Sequence, residues 1–188
     1  MNRLRVLLVL VASLFLVQSE ARGDFIATAT LLPENEVPPH DTPAFGAASV
    51  LFDSTTERLT VNVDFTGLAG PAVDAHIHFG DPGVNGPVIF PFSNPPFTYA
   101  KSASYTTILW AGDLVPSPAN GINTFADAIN AMAGGHTYVN IHDVVFVSPG
   151  GEIRGQLALV PEPSLLIAML SMGLVGLGLA WRRRKRAG

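Results

Sequence analysis

Cysteine is absent from all 188 residues of the chain. No disulfide can therefore brace the fold, and no cysteine thiolate can serve as a nucleophile. The sequence also lacks a Gly-x-Ser-x-Gly elbow and a phosphate-cradling glycine loop. Its carboxylates are scattered, so their spacing identifies no acid/base pair. These absences disfavour an enzyme, and we predict that the chain has no catalytic residues.

Positive charge is scarce between residues 24 and 160. This segment holds only three basic side chains, Arg58, Lys101 and Arg154, against thirteen carboxylates, which gives a formal charge of −10. So acidic a segment repels polyanions. We therefore expect no nucleic-acid partner.

The first 23 residues have the pattern of a secretory signal peptide. Arg3 and Arg5 precede the apolar run VLLVLVASLFLV (6–17), which is too short to span a bilayer comfortably. Small residues allow cleavage after Ala21 or after Gly23, and we favour Gly23. An uncleaved N-terminal anchor is the alternative. Both interpretations predict export through the Sec machinery.

The C-terminal end combines an apolar segment with a basic cluster. The segment 165–181 contains 17 residues without a charge. As a helix it would be about 26 Å long, just enough to cross the hydrocarbon core of a membrane. Five basic residues follow at 182–186, and such clusters stay on the cytoplasmic side. We predict a transmembrane helix with its C-terminus in the cytoplasm, for which a permanent anchor is the plain alternative.

Pro161, Glu162 and Pro163 precede this apolar segment. The tripeptide, one short hydrophobic helix and a terminal arginine cluster, in this order, resemble the PEP-CTERM sorting signal of Gram-negative bacteria. The resemblance implies an inner-membrane intermediate, cleavage by an exosortase-type membrane protease and release to the exopolysaccharide-rich exterior. The two prolines disfavour helix and leave an extended strip that a protease can reach. We assign residues 161–188 to this signal.

The remaining segment, 24–160, is long enough for one domain with a core. Apolar and polar residues alternate most clearly in RLTVNVDF (58–65), which is typical of a half-buried strand. Similar runs occur at 25–32, 46–53, 73–79, 97–110, 137–142 and 152–159, separated by Pro- and Gly-rich turns. About seven such strands predict an all-β antiparallel sandwich or Greek-key barrel. One short helix is expected near 123–134, with Asn123 or Thr124 as its cap and Gly134 as its end.

Polar side chains share one face of three of these strands. Because strand residues alternate between faces, the apolar residues of VDAHIHF point inward, and the polar positions of the three strands point outward. The outward set is Asp74, His76 and His78, then His136, Tyr138, Asn140 and His142, then Glu152, Arg154 and Gln156.

The same stretches resemble a known family. Four stretches, in this order, are similar to the signature of the CHRD domain, which is named from chordin: AHIHFG, NGPVIF, YVNIHD and PGGEIRGQL. The earlier segment LLPENEVPPHDTPAFGAASVLFD fits as well, so that the resemblance spans nearly all of residues 25–159. It implies an immunoglobulin-like β-sandwich and says little about activity.

Two interpretations of the histidines stay open. In the first, His76, His78, His142, Glu152 and Arg154 form a structural polar network, with Glu152 and Arg154 paired to each other or Arg154 to Asp74. In the second, His76, His78 and His142 bind copper or zinc, since neighbouring histidines on a strand can chelate one ion. His136 or Glu152 could complete that set.

We accordingly predict an immunoglobulin-like antiparallel β-sandwich (Greek key) with one short helix, flanked by a signal peptide and a transmembrane helix. The expected function is that of a non-enzymatic cell-surface or extracellular-matrix protein without a cofactor, with exopolysaccharide or other matrix components as partners. The alternatives are a metal-dependent redox enzyme using His76, His78 and His142, and a permanently anchored binding protein.

Overall fold

The computed structural model describes residues 23–92, 99–147 and 150–161. The predicted signal peptide, apart from Gly23, and the predicted sorting signal with its helix, apart from Pro161, therefore lie outside the described residues. Within the described ranges, no helix is both long enough and apolar enough to cross a membrane.

Two antiparallel sheets make up the fold, as the alternating patterns predict. The first sheet has the strand order β6-β3-β2-β1-β9 and the second has the order β5-β4-β7-β8. The strands are β1 (Phe25–Leu31), β2 (Phe45–Asp53), β3 (Arg58–Thr66), β4 (Ala72–Phe79), β5 (Val88–Pro91), β6 (Ala103–Leu109), β7 (Thr137–Asp143), β8 (Ile153–Gln156) and β9 (Ala158–Leu159). The prediction of an all-β antiparallel sandwich is thus confirmed.

The hydrophobic core lies between the two sheets. Leu59, Val61 and Val63 of β3 face Ile77 of β4 and Val139 of β7 across it, and all five are fully buried. Without disulfides, burial of apolar surface at about 25 cal/mol per Å² is the main stabilising term. The predicted inward residues Ala75, Ile77, Val139, Ile141 and Ile153 lie in this core. At the start of β4 the prediction is wrong, because Ala72 rather than Val73 is buried where the pairing with β7 shifts register.

One α-helix, α1 (Phe125–Ala133), precedes β7. Thr124 caps it, since its side chain accepts a hydrogen bond from the backbone N–H of Asp127, whose carboxylate accepts one from the N–H of Thr124. Gly134 is the C-terminal cap, and Gly135 follows with a φ of 76°. The predicted helix is therefore confirmed, with Thr124 rather than Asn123 as the cap. Three short 3-10 turns lie at Pro33–Asn35, Ala111–Asp113 and Pro118–Asn120.

Three details of the strand prediction are wrong. β5 was not predicted, because it directly follows Pro87, the end of the turn-like stretch DPGVNGP. Pro91 lies within the strand, and an edge strand such as β5 tolerates proline. In the described part of the run 97–110, which begins at Tyr99, the strand starts only at Ala103, since Tyr99 has a φ of 74° and the chain bends before the strand. The run 152–159 divides at Leu157, where the chain passes from the second sheet to the first.

Candidate functional site

The outer surface of the second sheet carries the predicted polar side chains, and we call it the polar face. Its residues are Asp74, His76 and His78 on β4, Tyr138, Asn140 and His142 on β7, and Arg154 and Gln156 on β8. The register aligns His76 with Asn140 and Asn140 with Arg154. The three strands thus bring the sequence-predicted histidines and Arg154 onto one surface.

The polar face points away from the core, as predicted, but three of its side chains have little exposure to solvent. His78, His142 and Arg154 are 8%, 7% and 3% exposed, respectively. Two segments contact the face around Arg154: residues 33–40, which follow β1, and residues 80–87, which join β4 to β5. Val147 contacts it separately at His142. The alternation gave the side of the sheet correctly, but these covering segments are remote in sequence from most of the face and could not be placed by it.

Arg154 fastens both covering segments to the sheet. Its Nε donates to the carbonyl of Asn35 at 2.5 Å, and its Nη1 donates to Asn85 Oδ1 at 2.9 Å and to the carbonyl of Val84 at 3.3 Å. The guanidinium also lies over the ring of Tyr138, with 4.6 Å from Cζ to the ring centroid. Its charge is therefore satisfied by loop carbonyls and an aromatic ring.

The three histidines form one cluster on this face. The ring centroids of His76 and His142 are 5.1 Å apart, those of His76 and His78 are 5.4 Å apart, and those of His78 and His142 are 6.3 Å apart. One ring nitrogen of each residue lies within 4.8 Å of the other two. His76 and His78 are two apart on one strand, and His142 comes from the neighbouring strand.

Each histidine has one nitrogen engaged and one unpaired. Nδ1 of His78 lies 2.9 Å from the carbonyl of Gly86, and Nδ1 of His142 lies 2.9 Å from that of Val147. Nε2 of His76 lies 3.0 Å from a carboxylate oxygen of Asp74. The opposite nitrogens, Nε2 of His78, Nε2 of His142 and Nδ1 of His76, are buried and have no hydrogen-bond partner.

Burial also favours the neutral form of these rings. Desolvation lowers the pKa of His78 to about 4, although its contact with the Gly86 carbonyl works in the opposite direction. Desolvation likewise lowers the pKa of His142, and it lowers that of His76 against the raising effect of Asp74. Neutral imidazole is the form that binds metal ions.

Glu152 lies away from the histidine cluster. Its carboxylate accepts a hydrogen bond from the backbone N–H of Ala69, at 2.9 Å to one oxygen and 3.0 Å to the other. Burial raises the pKa of Glu152, and the neighbouring Asp143 carboxylate adds to this effect. Among the described residues, the predicted ion pairs of Arg154 with Glu152 or Asp74 do not form; Asp74 is paired with His76 instead.

His136 is also separate from the cluster. Its Nδ1 lies 2.5 Å from a carboxylate oxygen of Asp81, and both side chains are largely exposed. His136 is therefore a surface residue, although the alternation placed it on the same side as His142.

Glu36 is a buried acid that the sequence reasoning did not single out. It is 1% exposed, and its carboxylate lies against Gly150. Desolvation raises its pKa to about 7, although the Arg154 guanidinium works to lower it. Glu36 belongs to the segment Glu-Val-Pro-Pro (36–39), in which no local sequence pattern indicates folding over the second sheet.

The fold and the face define an all-β sandwich domain with a covered polar cluster. A model of the CHRD domain matches residues 27–157, and the chain belongs to that family. A model of the PEP-CTERM protein-sorting motif matches residues 159–185. No curated protein and no solved structure matches the chain. Both predicted resemblances are confirmed, and together they support an exported protein that an exosortase-type protease sorts in the membrane.

Proposed function

We propose that the protein is a non-enzymatic binding module that reaches the cell surface or extracellular matrix of a Gram-negative bacterium after an exosortase-type protease cuts it near Pro161, Glu162 and Pro163. Exopolysaccharide or another matrix component is its partner in this proposal. The formal charge of −10 on residues 24–160 favours a neutral or cationic partner over a polyanion.

The carrying observation is where the domain ends relative to the sorting motif. β9 (Ala158–Leu159) pairs with β1, and the N–H of Val160 donates to the carbonyl of Ile26 at 2.8 Å. Pro161 follows at once and is exposed. A cut at the Pro-Glu-Pro tripeptide would therefore leave every strand of the sandwich in place. The four passages of the chain between the two sheets support our further proposal that the sandwich is of the immunoglobulin-like Greek-key class.

The intact mass of the protein recovered from producing cells tests the sorting step. We expect a mass that lacks the basic cluster and the apolar segment 165–181. The double variant Pro161→Ala, Pro163→Ala should keep the tail, because the strip can then become helical. A wild-type mass that still includes residues 165–188 would instead establish the permanently anchored protein.

A metal-dependent redox enzyme is the second candidate, and the convergence of His76, His78 and His142 is what favours it. Superoxide dismutation by the copper-loaded protein, compared with the same amount of free copper, tests this candidate. Turnover no faster than that of free copper would leave the binding module as the better proposal.

A further inference from the structure

The three unpaired histidine nitrogens require a partner that can interact with three lone pairs at once. Each engaged nitrogen faces an oxygen: the carbonyl of Gly86, the carbonyl of Val147 and the carboxylate of Asp74. In a neutral ring the engaged nitrogen therefore carries the hydrogen, and the opposite nitrogen carries a lone pair. One ring nitrogen of each histidine lies within 4.8 Å of those of the other two, and we take these to be the nitrogens that carry the lone pairs.

A water molecule satisfies this arrangement poorly. Water has two hydrogens, so it can donate to two of the three nitrogens and leaves the third unpaired. The unpaired nitrogens also cannot donate to the water oxygen, because the hydrogen of each ring is on the other, engaged nitrogen. A metal cation accepts electron pairs from all three nitrogens at once, and imidazole is a good ligand for copper and zinc.

We propose that His76 through Nδ1, and His78 and His142 through Nε2, bind one first-row transition metal ion, with copper bound more tightly than zinc. Nitrogens at tetrahedral positions around such an ion, each about 2.1 Å from it, lie about 3.4 Å apart. The rings need to close by up to about 1.4 Å from their 4.8 Å limit. We expect copper to bind more tightly because a given set of ligands generally has a higher affinity for Cu²⁺ than for Zn²⁺.

The contacts on the far side of each ring serve as the outer shell of this site. The carbonyls of Gly86 and Val147 and the carboxylate of Asp74 hold each ring in the tautomer that binds metal. Asp74 also brings a negative charge next to the ion. Asp74 is therefore a positioning residue, and its loss should weaken binding by about 10- to 100-fold.

Equilibrium binding of Cu²⁺ and of Zn²⁺ to the full chain, purified in mild detergent and first stripped with chelator, tests the proposal. We expect one ion per chain, with copper displacing zinc. His76→Ala, His78→Ala and His142→Ala should each lower the affinity more than Asp74→Ala does. The remaining histidines of the chain provide matched controls: His136→Ala and His40→Ala should bind like the wild type.

Comparing melting temperatures with metal and with chelator separates metal binding by the histidines from their structural contacts. His78→Ala loses its contact with Gly86 and its stacking on Tyr138, with ring centroids 4.8 Å apart, under both conditions. Only the increase on adding metal reports the ion, and we expect that increase to vanish in the three ligand variants. An equal increase in wild type and ligand variants would overturn the proposal.

Paramagnetic resonance of the wild type provides a measurement that needs no variant. With one equivalent of Cu²⁺, we expect splitting from imidazole nitrogens. A signal from oxygen ligands alone, or no retained copper, would overturn the proposal without affecting the sorting step, which the intact mass tests independently.

Discussion

Replacing Arg154 by methionine should loosen both segments that cover the polar face. Methionine keeps an apolar stem over Tyr138 but removes the donors to Asn35, Val84 and Asn85. A hydrogen bond from a charged donor contributes about 1.5 to 3 kcal/mol. All three acceptors belong to exposed residues and can bond to water once the arginine is gone. We therefore expect the free energy of unfolding to fall by about 3 kcal/mol, which is less than the sum of three such bonds.

Urea unfolding followed by circular dichroism measures this loss. Lys101→Met is the matched control, because Lys101 is an exposed cation that also donates to a carbonyl, that of Ala69 at 2.6 Å. Removing this surface contact should cost less than about 1 kcal/mol. Hydrogen exchange should increase in residues 33–40 and 80–87 of Arg154→Met and stay unchanged there in Lys101→Met.

The opposite result is that Arg154→Met unfolds at the same urea concentration as Lys101→Met and that exchange in the two covering segments is unchanged. Such a result would mean that the segments are held by other contacts, such as the hydrogen bond from Asn85 to the carbonyl of Val37, and that Arg154 does not fasten them.

Two further predictions concern backbone packing and pH. In Gly155→Ala the new Cβ would lie 2.2 Å from the backbone oxygen of Thr30, so we expect the free energy of unfolding in urea to fall by about 3 kcal/mol. The control Gly112→Ala, whose Cβ would have no atom within 4 Å, should change it by less than about 0.5 kcal/mol. Equal losses in the two variants would contradict the close approach of Gly155 to Thr30. Because the pKa of Glu36 is raised from 4.5 to about 7, the folded protein holds a proton in this range that the unfolded chain has released. Stability relative to Glu36→Gln should therefore be highest below pH 4.5 and fall by up to about 3 kcal/mol as the pH rises to about 7. Unfolding midpoints that change in parallel for the two proteins would show that Glu36 does not titrate in this way.

The sequence was sufficient for most of the fold because each strand carries its own local pattern. In β3 the apolar positions Leu59, Val61 and Val63 are all fully buried, as strict alternation requires. β5 could not be predicted in this way, because a four-residue edge strand with proline at its end has too few positions to show a period. The division at Leu157 could not be predicted either, because the two strands on either side of it continue one alternating run.

The candidate site was predictable only in part. Alternation placed His76, His78 and His142 on one side, and pairing of β4 with β7 then brought them together. Alternation also grouped His136 and Glu152 with them, although both lie elsewhere, because parity specifies a face and not a position along it. The engaged oxygens of Gly86 and Val147 come from loops, for which no periodic signal exists.

The covering segments change the access of water to the histidine rings. On an open sheet each ring nitrogen could bond to water, and the cluster would need no further partner. Here His78 contacts Gly86 in a segment that Arg154 fastens, and Nε2 of His78 and of His142 are both buried without a partner. Each unpaired buried group costs about 1 to 3 kcal/mol. A bound cation removes this cost at all three histidines together. Arg154 and the histidines should therefore be coupled: loosening the cover with Arg154→Met lets water reach the unpaired nitrogens, so the stabilisation gained on adding metal should be smaller than in the wild type.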